Sequence, residues 1–536
     1  MNKRQIFIPI LVAVSVVAGI LLSTFMQSGN EGIFTHQQNR QNKLNALLDF
    51  ISENYVDTIN KAELIEQAIP DFLEELDPHS VYIPAEDVKE MNEPLEGNFD
   101  GIGIQFNMRH DTLLVLHTIS GGPSEKAGIR PGDRIITVDD STIAGVDIST
   151  RKVMSMLKGE KGTEVELGIK RRNADSLLHY TIVRDEIPLY SVDIAYMPTR
   201  NTGYIKVSTF SNTTYAEFMD AVRDLKSQGM ENLILDLRSN SGGIMSAADY
   251  IADELLEGGK LIVYTQGRKH GKVEQYATDG RRSLVEIDVA VLIDEFSASA
   301  SEIVAGAIQD NDRGWIIGRR SFGKGLVQEP VQFDDGSALR LTVARYYTPS
   351  GRCIQRDYGE DIEDYYKNIT ERFMNDEFMQ ADSIKFADSL KYKTNAGRTV
   401  YGGGGIMPDI FVPVDTTGTG KLYQQVQNKN LVYEFAFRYT EEHRESLENY
   451  DNTEALVRHL KSTGIFDEFL GFVKESGIDY TQNQLEQSRN LLSTQVMAMV
   501  SRNLLNDAGF YPVIHRVDTT FETALQVLED ERKLLK

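Results

Sequence analysis

The stretch Val289–Gln328 decides the fold, and it runs VAVLIDEFSASASEIVAGAIQDNDRGWIIGRRSFGKGLVQ. Its first five residues are all apolar, which is typical of a buried strand. Residues 303–308 then predict a helix, and residues 315–318 predict a second strand. Ser299 therefore lies where a strand turns into a helix, and Lys324 lies between two glycines further along the chain.

This placement predicts a nucleophile at Ser299, because the backbone N–H groups at a helix N-terminus can hold an oxyanion. Lys324 then supplies a base that is not histidine. A purely structural alternative stays open. Ser299-Ala300-Ser301-Glu302 has the pattern of a capping box, in which the serine caps the helix, and Lys324 would be a turn lysine facing water.

Residues 186–416 alternate strand and helix patterns, which indicates an α/β layer structure. One buried strand, residues 232–237, ends in Arg238-Ser239-Asn240-Ser241-Gly242-Gly243. Two glycines at such a turn expose backbone N–H groups at the carboxyl edge of the sheet, where ligands bind in these folds. A phosphate loop is the alternative, but the turn lacks the G-K-[ST] sequence that a Walker A loop needs.

Residues 92–185 change to short strands and contain A-G-I-R-P-G-D-R-I-I-T-V-D at 127–139. This segment resembles a PDZ domain. The resemblance implies that Gly101, Ile102, Gly103 and Ile104 bind a peptide's C-terminal carboxylate through backbone N–H groups, while the peptide adds as a strand. A small β-domain that does not bind peptides is the alternative.

The N-terminal segment, residues 1–30, carries Lys3 and Arg4 before an apolar run from Ile6 to Met26. The run is long enough to span a bilayer, and the preceding positive charge predicts a cytoplasmic N-terminus. We expect a membrane anchor here, with a cleaved signal peptide as the alternative. In both cases the rest of the chain lies outside the cytoplasm.

Residues 36–91 form a predicted helical region, broken by the sequence Leu76-Asp77-Pro78-His79-Ser80. His79 is one candidate base, although a histidine beside a proline at a helix end is more often a local hydrogen-bonding residue. Residues 417–536 are predicted to be helical. They suggest a packing or dimerisation domain, and hence a homo-oligomer, with a lid over the α/β core as the alternative.

The composition excludes several classes of protein. The net charge of -24 argues against nucleic acid and anionic lipid surfaces as partners. A single cysteine, Cys353, rules out an internal disulfide framework and a cysteine-based metal site. The nine histidines include no H-E-x-x-H pair, so we expect neither a catalytic metal nor another cofactor.

Taken together, the motifs resemble those of the carboxyl-terminal processing peptidases, tail-specific serine proteases of the S41 type. The resemblance spans about residues 40–415 and implies a multidomain α/β protein: a crotonase/ClpP-like core, an inserted β-rich PDZ domain, N-terminal helices and a helical C-terminal region. The matching segments are Leu76–Ser80, the PDZ signature, Asp236–Gly243, Ser297–Glu302, Phe322–Gly325 and Gly404–Asp409.

The resemblance also implies roles for individual residues. The serine and the lysine of the family lie 25 residues apart, which matches Ser299 and Lys324 here, and Gln328 matches the third polar residue. The implied oxyanion hole combines the N–H of Ala300 with that of Gly243 or Gly242. Lys158 replaces an arginine that some relatives use to couple the PDZ domain to the site, and lysine cannot reproduce the bidentate contacts of arginine.

We therefore expect a serine endopeptidase in a bacterial cell envelope, anchored in the inner membrane and facing the periplasm. It would bind substrate C-terminal tails through its PDZ domain and cleave them with a Ser-Lys dyad. The lysine must be neutral to act as a base, and burial would lower its pKa from the ordinary value near 10.4. An inactive peptide-binding scaffold with the same fold is the alternative.

Overall fold

The computed structural model of the protein describes residues 43–108, 111–119, 121–171, 174–269, 271–280, 283–359, 362–384 and 386–534. The described residues divide into two compact units, one that ends at Glu75 and one that begins at Leu76. The predicted N-terminal anchor, residues 1–30, lies outside the described residues. In the described part of the chain, no helix combines the length and the apolar character needed to cross a bilayer.

The first unit contains two helices, α1 (Lys43–Asn54) and α2 (Lys61–Glu74). The apolar face of α1 is only partly covered within this unit. Leu48 is buried, whereas the side chains of Leu44 and Leu47 are about half exposed. The spacing of apolar residues thus identifies the helix, but most of its apolar face stays accessible to solvent.

The second unit opens with β1 (Val81–Ile83), followed by α3 (Val88–Glu96) and β2 (Asn98–Gly101), which fall at the start of the predicted PDZ region, residues 92–185. The elements of that region follow: β3 (Ile104–Met108), β4 (Leu113–Thr118), α4 (Pro123–Ala127), β5 (Arg134–Val138), β6 (Ser141–Thr142), α5 (Thr150–Leu157), β7 (Glu164–Lys170), β8 (Leu178–Val183) and β9 (Asp185–Pro188). Their sheet has the order β3-β4-β5-β7-β8, with β6 paired to β5. It encloses its own apolar core around Val115, Ile135 and Leu167.

The α/β core alternates strands and helices as predicted. Its elements are β10 (Val192–Tyr196), β11 (Thr202–Val207), α6 (Thr214–Ser227), β12 (Asn232–Asp236), α7 (Met245–Leu255), β13 (Leu261–Gly267), β14 (Gly271–Tyr276), β15 (Asp288–Ile293), α8 (Ala300–Asp310), β16 (Trp315–Gly318), β17 (Leu326–Gln332), β18 (Ala338–Tyr347), α9 (Ile362–Met374), β19 (Lys391–Lys393), β20 (Thr399–Tyr401) and β21 (Ile410–Phe411).

The central sheet has the strand order β10-β11-β12-β15-β16-β21. Its strands are parallel except for β10, which is antiparallel to β11. In the register of β12 and β15, Asp236 lies opposite Leu292. The carboxyl ends of these two strands therefore meet at one edge, and the loop at 238–243 comes to lie beside the turn that carries Ser299.

A second sheet is antiparallel and joins β1, β18, β13 and β14, with β17 paired to β18. β17 begins two residues after Lys324 and carries Gln328. Because β1 pairs with the other edge of β18, the segment Leu76–Ser80 that precedes β1 is brought towards the same region. The two sheets thus place three sequence motifs around one site.

The described part of the C-terminal region is helical, as predicted: α10 (Lys421–Asn428), α11 (Leu431–Leu447), α12 (Thr453–Ser462), α13 (Ile465–Glu475), α14 (Gln482–Ile514) and α15 (Thr519–Leu534). Helices α10–α14 share an apolar core, and α14 is kinked at Asn506, where φ is 53°. Helix α15 packs on the central sheet instead, with Phe521 and Leu528 buried against residues that include Ile234 and Leu292. Helix α15 therefore covers part of one face of the central sheet.

Candidate active site

Ser299 immediately precedes α8 and has φ 54° and ψ -112°. A positive φ is uncommon for a residue other than glycine and is typical of positions that the surrounding structure holds in place. Two buried neighbours provide that support. Ser297 Oγ donates to the carbonyl of Leu237 at 2.9 Å, and Ser301 Oγ donates to the carbonyl of Asn240 at 2.9 Å. The serine turn is therefore fastened to the loop that follows β12.

Asn240 organises that loop and distinguishes its two glycines. Its Nδ2 donates to the carbonyl of Val207 at 2.9 Å, and its Oδ1 accepts the N–H of Gly242 at 2.8 Å. The N–H of Gly242 is thus already used. Among the described residues, the N–H groups of Gly243 and Ala300 have no acceptor. Of the two predicted alternatives for the oxyanion hole, this geometry favours Ala300 with Gly243.

The loop also passes so close to Ser299 that it requires glycine. A β-carbon on Gly242, where φ is +103°, would lie 2.7 Å from Ser299 Cβ and 3.1 Å from Ala300 N. On Gly243, where φ is +139°, it would lie 2.0 Å from the carbonyl oxygen of Phe210. Only glycine tolerates both the dihedral angles and these contacts.

Lys324 lies between β16 and β17 with its side chain largely buried, and its Nζ donates to Gln328 Oε1 at 3.0 Å. Burial lowers the pKa of Lys324, while the nearby carboxylates of Glu302 and Asp77 act in the opposite direction. The net effect is a lowered pKa, which a lysine needs if it is to act as a base. The hydrogen bonds of the described residues do not include one between Ser299 Oγ and Lys324 Nζ.

A buried carboxylate connects the serine turn to the lysine loop. Glu302 accepts the backbone N–H of Ser299 at 2.9 Å, of Lys324 at 2.9 Å and of Gly323 at 2.8 Å, and also the hydroxyl of Ser321. Burial raises the pKa of Glu302 to about 7, and these hydrogen bonds act to lower it. The sequence identified Glu302 only as a capping residue, since its contacts with the lysine loop depend on the tertiary fold.

Tyr346 is a further link that the motifs did not reveal. Its buried hydroxyl lies 3.0 Å from the carbonyl oxygen of Ser299 and also within hydrogen-bonding distance of the carbonyl oxygen of Lys324. A phenol has one proton to donate, so the two carbonyl groups share it. Ser299 and Lys324 are therefore held together through their backbones as well as through Glu302.

The predicted carboxylate-binding loop lines an apolar groove in the β-rich domain. Among the described residues, the N–H groups of Ile102 and Gly103 have no acceptor, and Gly103 has φ +72°. A carboxylate could therefore bind to these N–H groups without displacing an existing hydrogen bond. The lining residues are Phe99, Ile102, Gly103, Ile104, Phe106, Met154, Leu157 and Lys158.

Lys158 is one of the residues that line this groove. Its ammonium group forms an ion pair with the buried carboxylate of Glu93 in α3 and lies 5.0 Å from the centre of the Phe99 ring. Among the described residues it has no hydrogen bond to Ser299, Lys324 or Gln328. No direct contact in the described part of the structure therefore supports the coupling role that the resemblance implies for Lys158.

His79 is brought close to Lys324 and Gln328, although it precedes Gln328 by 249 residues in the sequence. Burial, together with the charge of Lys324, lowers the pKa of His79 to about 4. A second histidine that could serve as a base in place of Lys324, His270, lies outside the described residues. Within the described ranges, no three His, Cys, Asp or Glu side chains are arranged to hold a metal ion.

Comparison with known proteins agrees with this architecture. The model of peptidase family S41 matches residues 201–364, and the PDZ domain model matches residues 101–182. The N-terminal domain model of the activating protease CtpB matches residues 23–87, and a family of unknown function matches residues 422–506.

Two curated bacterial relatives are similar over most of their length. The carboxy-terminal-processing protease of Bartonella bacilliformis is 37% identical over 349 residues, which is 63% of this chain and 79% of the relative. The carboxy-terminal processing protease CtpA of Bacillus subtilis is 33% identical over 360 residues, 66% of this chain and 76% of the relative.

Among solved structures, the photosystem II D1 C-terminal processing protease is 26% identical to this chain. The match covers 70% of this chain and 93% of the solved chain, with a TM-score of 0.34.

The fold and the sequence matches define a serine-type peptidase with an inserted PDZ domain. The chain belongs to peptidase family S41, among bacterial relatives that are carboxy-terminal processing proteases.

Proposed function

We propose that this protein is an endopeptidase that binds the C-terminal tail of its substrate in the PDZ groove and cleaves it with Ser299 as nucleophile and Lys324 as base. One observation carries the proposal. The buried carboxylate of Glu302 accepts the backbone N–H of both residues, so the two segments are held against each other. A serine used only as a helix cap has no need of this connection to a buried lysine.

The chemistry follows from the protonation states. Neutral Lys324 takes the proton from Ser299 Oγ while the oxygen attacks the scissile carbonyl carbon. The N–H groups of Ala300 and Gly243 stabilise the resulting oxyanion. The ammonium group of Lys324 then gives its proton to the leaving amine, which leaves an acyl-enzyme. Water hydrolyses this ester with Lys324 acting as base again.

Gln328 completes the arrangement. Its Oε1 accepts one N–H of Lys324, and an uncharged partner orients the amine without adding a negative charge that would favour the ammonium form. A Ser299–Lys324 hydrogen bond would form when substrate is bound, since catalytic hydrogen bonds are often long in free enzymes.

Substrate selection is assigned to the groove. The N–H groups of Ile102 and Gly103, which have no acceptor in the described part of the chain, suit a terminal carboxylate. An apolar lining that includes Phe106 and Leu157 suits an apolar terminal side chain. The preferred substrates are therefore unstructured tails with an apolar C-terminal residue.

We place the enzyme in the bacterial cell envelope, with residues 1–30 as the anchor and the described domains on the outer side of the inner membrane. The apolar run from Ile6 to Met26 after Lys3 and Arg4 supports this placement. Protease added to intact spheroplasts should degrade the folded domains. Protection of the whole chain would contradict the assigned side of the membrane.

The function is tested by incubating the full-length protein in detergent with an unstructured peptide that ends in an apolar residue. Mass spectrometry of the products should show internal cleavage by the wild type and none by Ser299→Ala. Peptide binding by both proteins without cleavage by either would instead support the inactive scaffold.

A further inference from the structure

The side chain of Gln328 is held at both ends of its amide group. Its Oε1 accepts from Lys324 Nζ, and its Nε2 donates to the backbone carbonyl oxygen of His79. A carbonyl oxygen can only accept, so it fixes which end of the amide faces His79. The oxygen end must then face Lys324. The position of the His79 carbonyl oxygen therefore sets the orientation of the Gln328 amide group, which contacts Lys324.

The turn that carries this carbonyl is fastened to the second sheet. The buried carboxylate of Asp77 accepts the N–H of His79 at 2.8 Å and of Ser80 at 2.9 Å. It also accepts the hydroxyl of Thr342 in β18 at 3.1 Å, and the N–H of Thr342 donates to Ser80 Oγ at 3.1 Å. These bonds fix one side of the turn.

The imidazole ring fixes the other side. His79 Nε2 lies 2.6 Å from the hydroxyl of Tyr365 in α9, and the two rings meet edge to face at 5.3 Å. Tyr365 is fully buried and lies against the guanidinium of Arg356, 3.8 Å from the ring centre. The guanidinium of Arg356 also lies 3.9 Å from the centre of the Phe322 ring. The backbone N–H of Arg356 donates to the carbonyl of Gly323 at 3.0 Å. Tyr365 is therefore anchored to the loop that carries Lys324.

We propose that His79 and Tyr365 are positioning residues for the lysine base: their hydrogen bond holds the His79 carbonyl where it orients Gln328, and Gln328 in turn orients Lys324. The inference rests on the proposed function. A neutral lysine amine has two N–H groups and one lone pair. When Gln328 binds one N–H, the lone pair can be directed at Ser299.

This role differs from that of a histidine base. The imidazole Nε2 is already bound to a phenol, and it is the backbone carbonyl, not the ring, that reaches Gln328. A glutamine at position 79 can place an amide near the position of Nε2 and bond to Tyr365, but it cannot act as a base. His79→Gln therefore separates the two roles, because positioning survives the substitution and base catalysis does not.

The test compares kcat and KM of the full-length protein with Tyr365→Phe, His79→Ala and His79→Gln, each made in the wild type and in Gln328→Ala. We expect Tyr365→Phe and His79→Ala to lower kcat about tenfold with KM little changed, as misorientation of a catalytic group does. His79→Gln should retain most of kcat. In the Gln328→Ala background, Tyr365→Phe should lower kcat by less than about twofold, because the effects of residues that act through one partner are not additive.

The matched control is Tyr439→Phe, which removes a hydroxyl 3.2 Å from Thr463 Oγ1 in the C-terminal helices and should leave kcat unchanged. Wild-type kcat in Tyr365→Phe, or equal losses with and without Gln328, would overturn the positioning role. If Tyr365→Phe fails to fold, the contrast between His79→Gln and His79→Ala decides. If the wild type shows no cleavage that depends on Ser299, the proposed function and the positioning role are both wrong. If cleavage depends on Ser299 but not on Tyr365, only the positioning role is wrong.

Discussion

The carboxylate of Glu302 accepts the backbone N–H of Ser299 at 2.9 Å, three residues before it in the chain. In an ordinary capping box this bond would only stabilise the start of a helix. Here the same carboxylate also accepts N–H groups from the lysine loop, so the helix cap is also part of the candidate active site.

Glu302→Gln should therefore reduce kcat at least about tenfold and also lower the melting temperature. An amide has one acceptor oxygen, so its NH2 group would face N–H donors that the carboxylate now binds, and hydrogen bonds to a charged group contribute about 1.5–3 kcal/mol. Steady-state kinetics and calorimetry on the same preparation check both effects.

Glu217→Gln is the matched control, because Glu217 also accepts two backbone N–H groups, those of Ser191 at 2.7 Å and Val192 at 3.0 Å. It should lower stability with little change in kcat. If Glu302→Gln behaved like this control, Glu302 would be a helix cap without a role in positioning the dyad.

Carboxylate recognition by the PDZ groove can be tested on the substrate. An amidated C-terminus should weaken binding and slow cleavage of the peptide, because the N–H groups of Ile102 and Gly103 would lose a charged acceptor. Charge-assisted hydrogen bonds of this kind predict a loss of affinity of about tenfold or more. Changing the substrate is cleaner than replacing Gly103, where φ +72° strains any larger residue. Equal affinity and rate for the free and amidated peptides would contradict carboxylate recognition.

His515 provides a prediction about stability and pH. Its ring stacks on Phe521 at 4.0 Å, its Nδ1 lies 2.6 Å from the hydroxyl of Tyr196, and burial lowers its pKa to about 4 from the ordinary value of 6.5. Between pH 6.5 and 4 the unfolded chain therefore binds a proton that the folded chain does not. The free energy of unfolding should fall on acidification through this window, by up to about 1.4 kcal/mol per pH unit from this residue.

His515→Phe should flatten this acid dependence, and denaturant unfolding between pH 4 and 7 would show it. His179→Phe, at an exposed position, is the control and should leave the slope unchanged. An unaltered slope in His515→Phe would mean that His515 does not contribute to acid unfolding.

The sequence was informative where the chemistry is carried by short, local patterns. The apolar strand before Ser299, the helix after it and the glycines around Lys324 are all close in the chain, so their geometry follows from strand, turn and helix propensities. The structure confirms the strands and the helix of this stretch, with α8 beginning at Ala300.

Contacts between distant segments could not be predicted in this way. Tyr346 reaches Ser299 across 47 residues, and His79 reaches Gln328 across 249. The sequence pattern of Leu76–Ser80 did not indicate that the carbonyl group of His79 would contact Gln328 in the candidate active site. That contact depends on the pairing of β1 with β18. Lys158 shows the same limit, since its ion-pair partner Glu93 lies 65 residues away in the sequence.

The most direct test of the Ser299–Lys324 dyad is kcat/KM measured against pH for the wild type and Lys324→Arg. Since only the neutral amine can accept the serine proton, and burial lowers the pKa of Lys324 from 10.5, wild-type activity should rise with pH and level off as the amine loses its proton. Lys324→Arg should show no measurable turnover at any pH, because a guanidinium does not lose its proton in this range. Appreciable turnover by Lys324→Arg would contradict the assignment of Lys324 as the base.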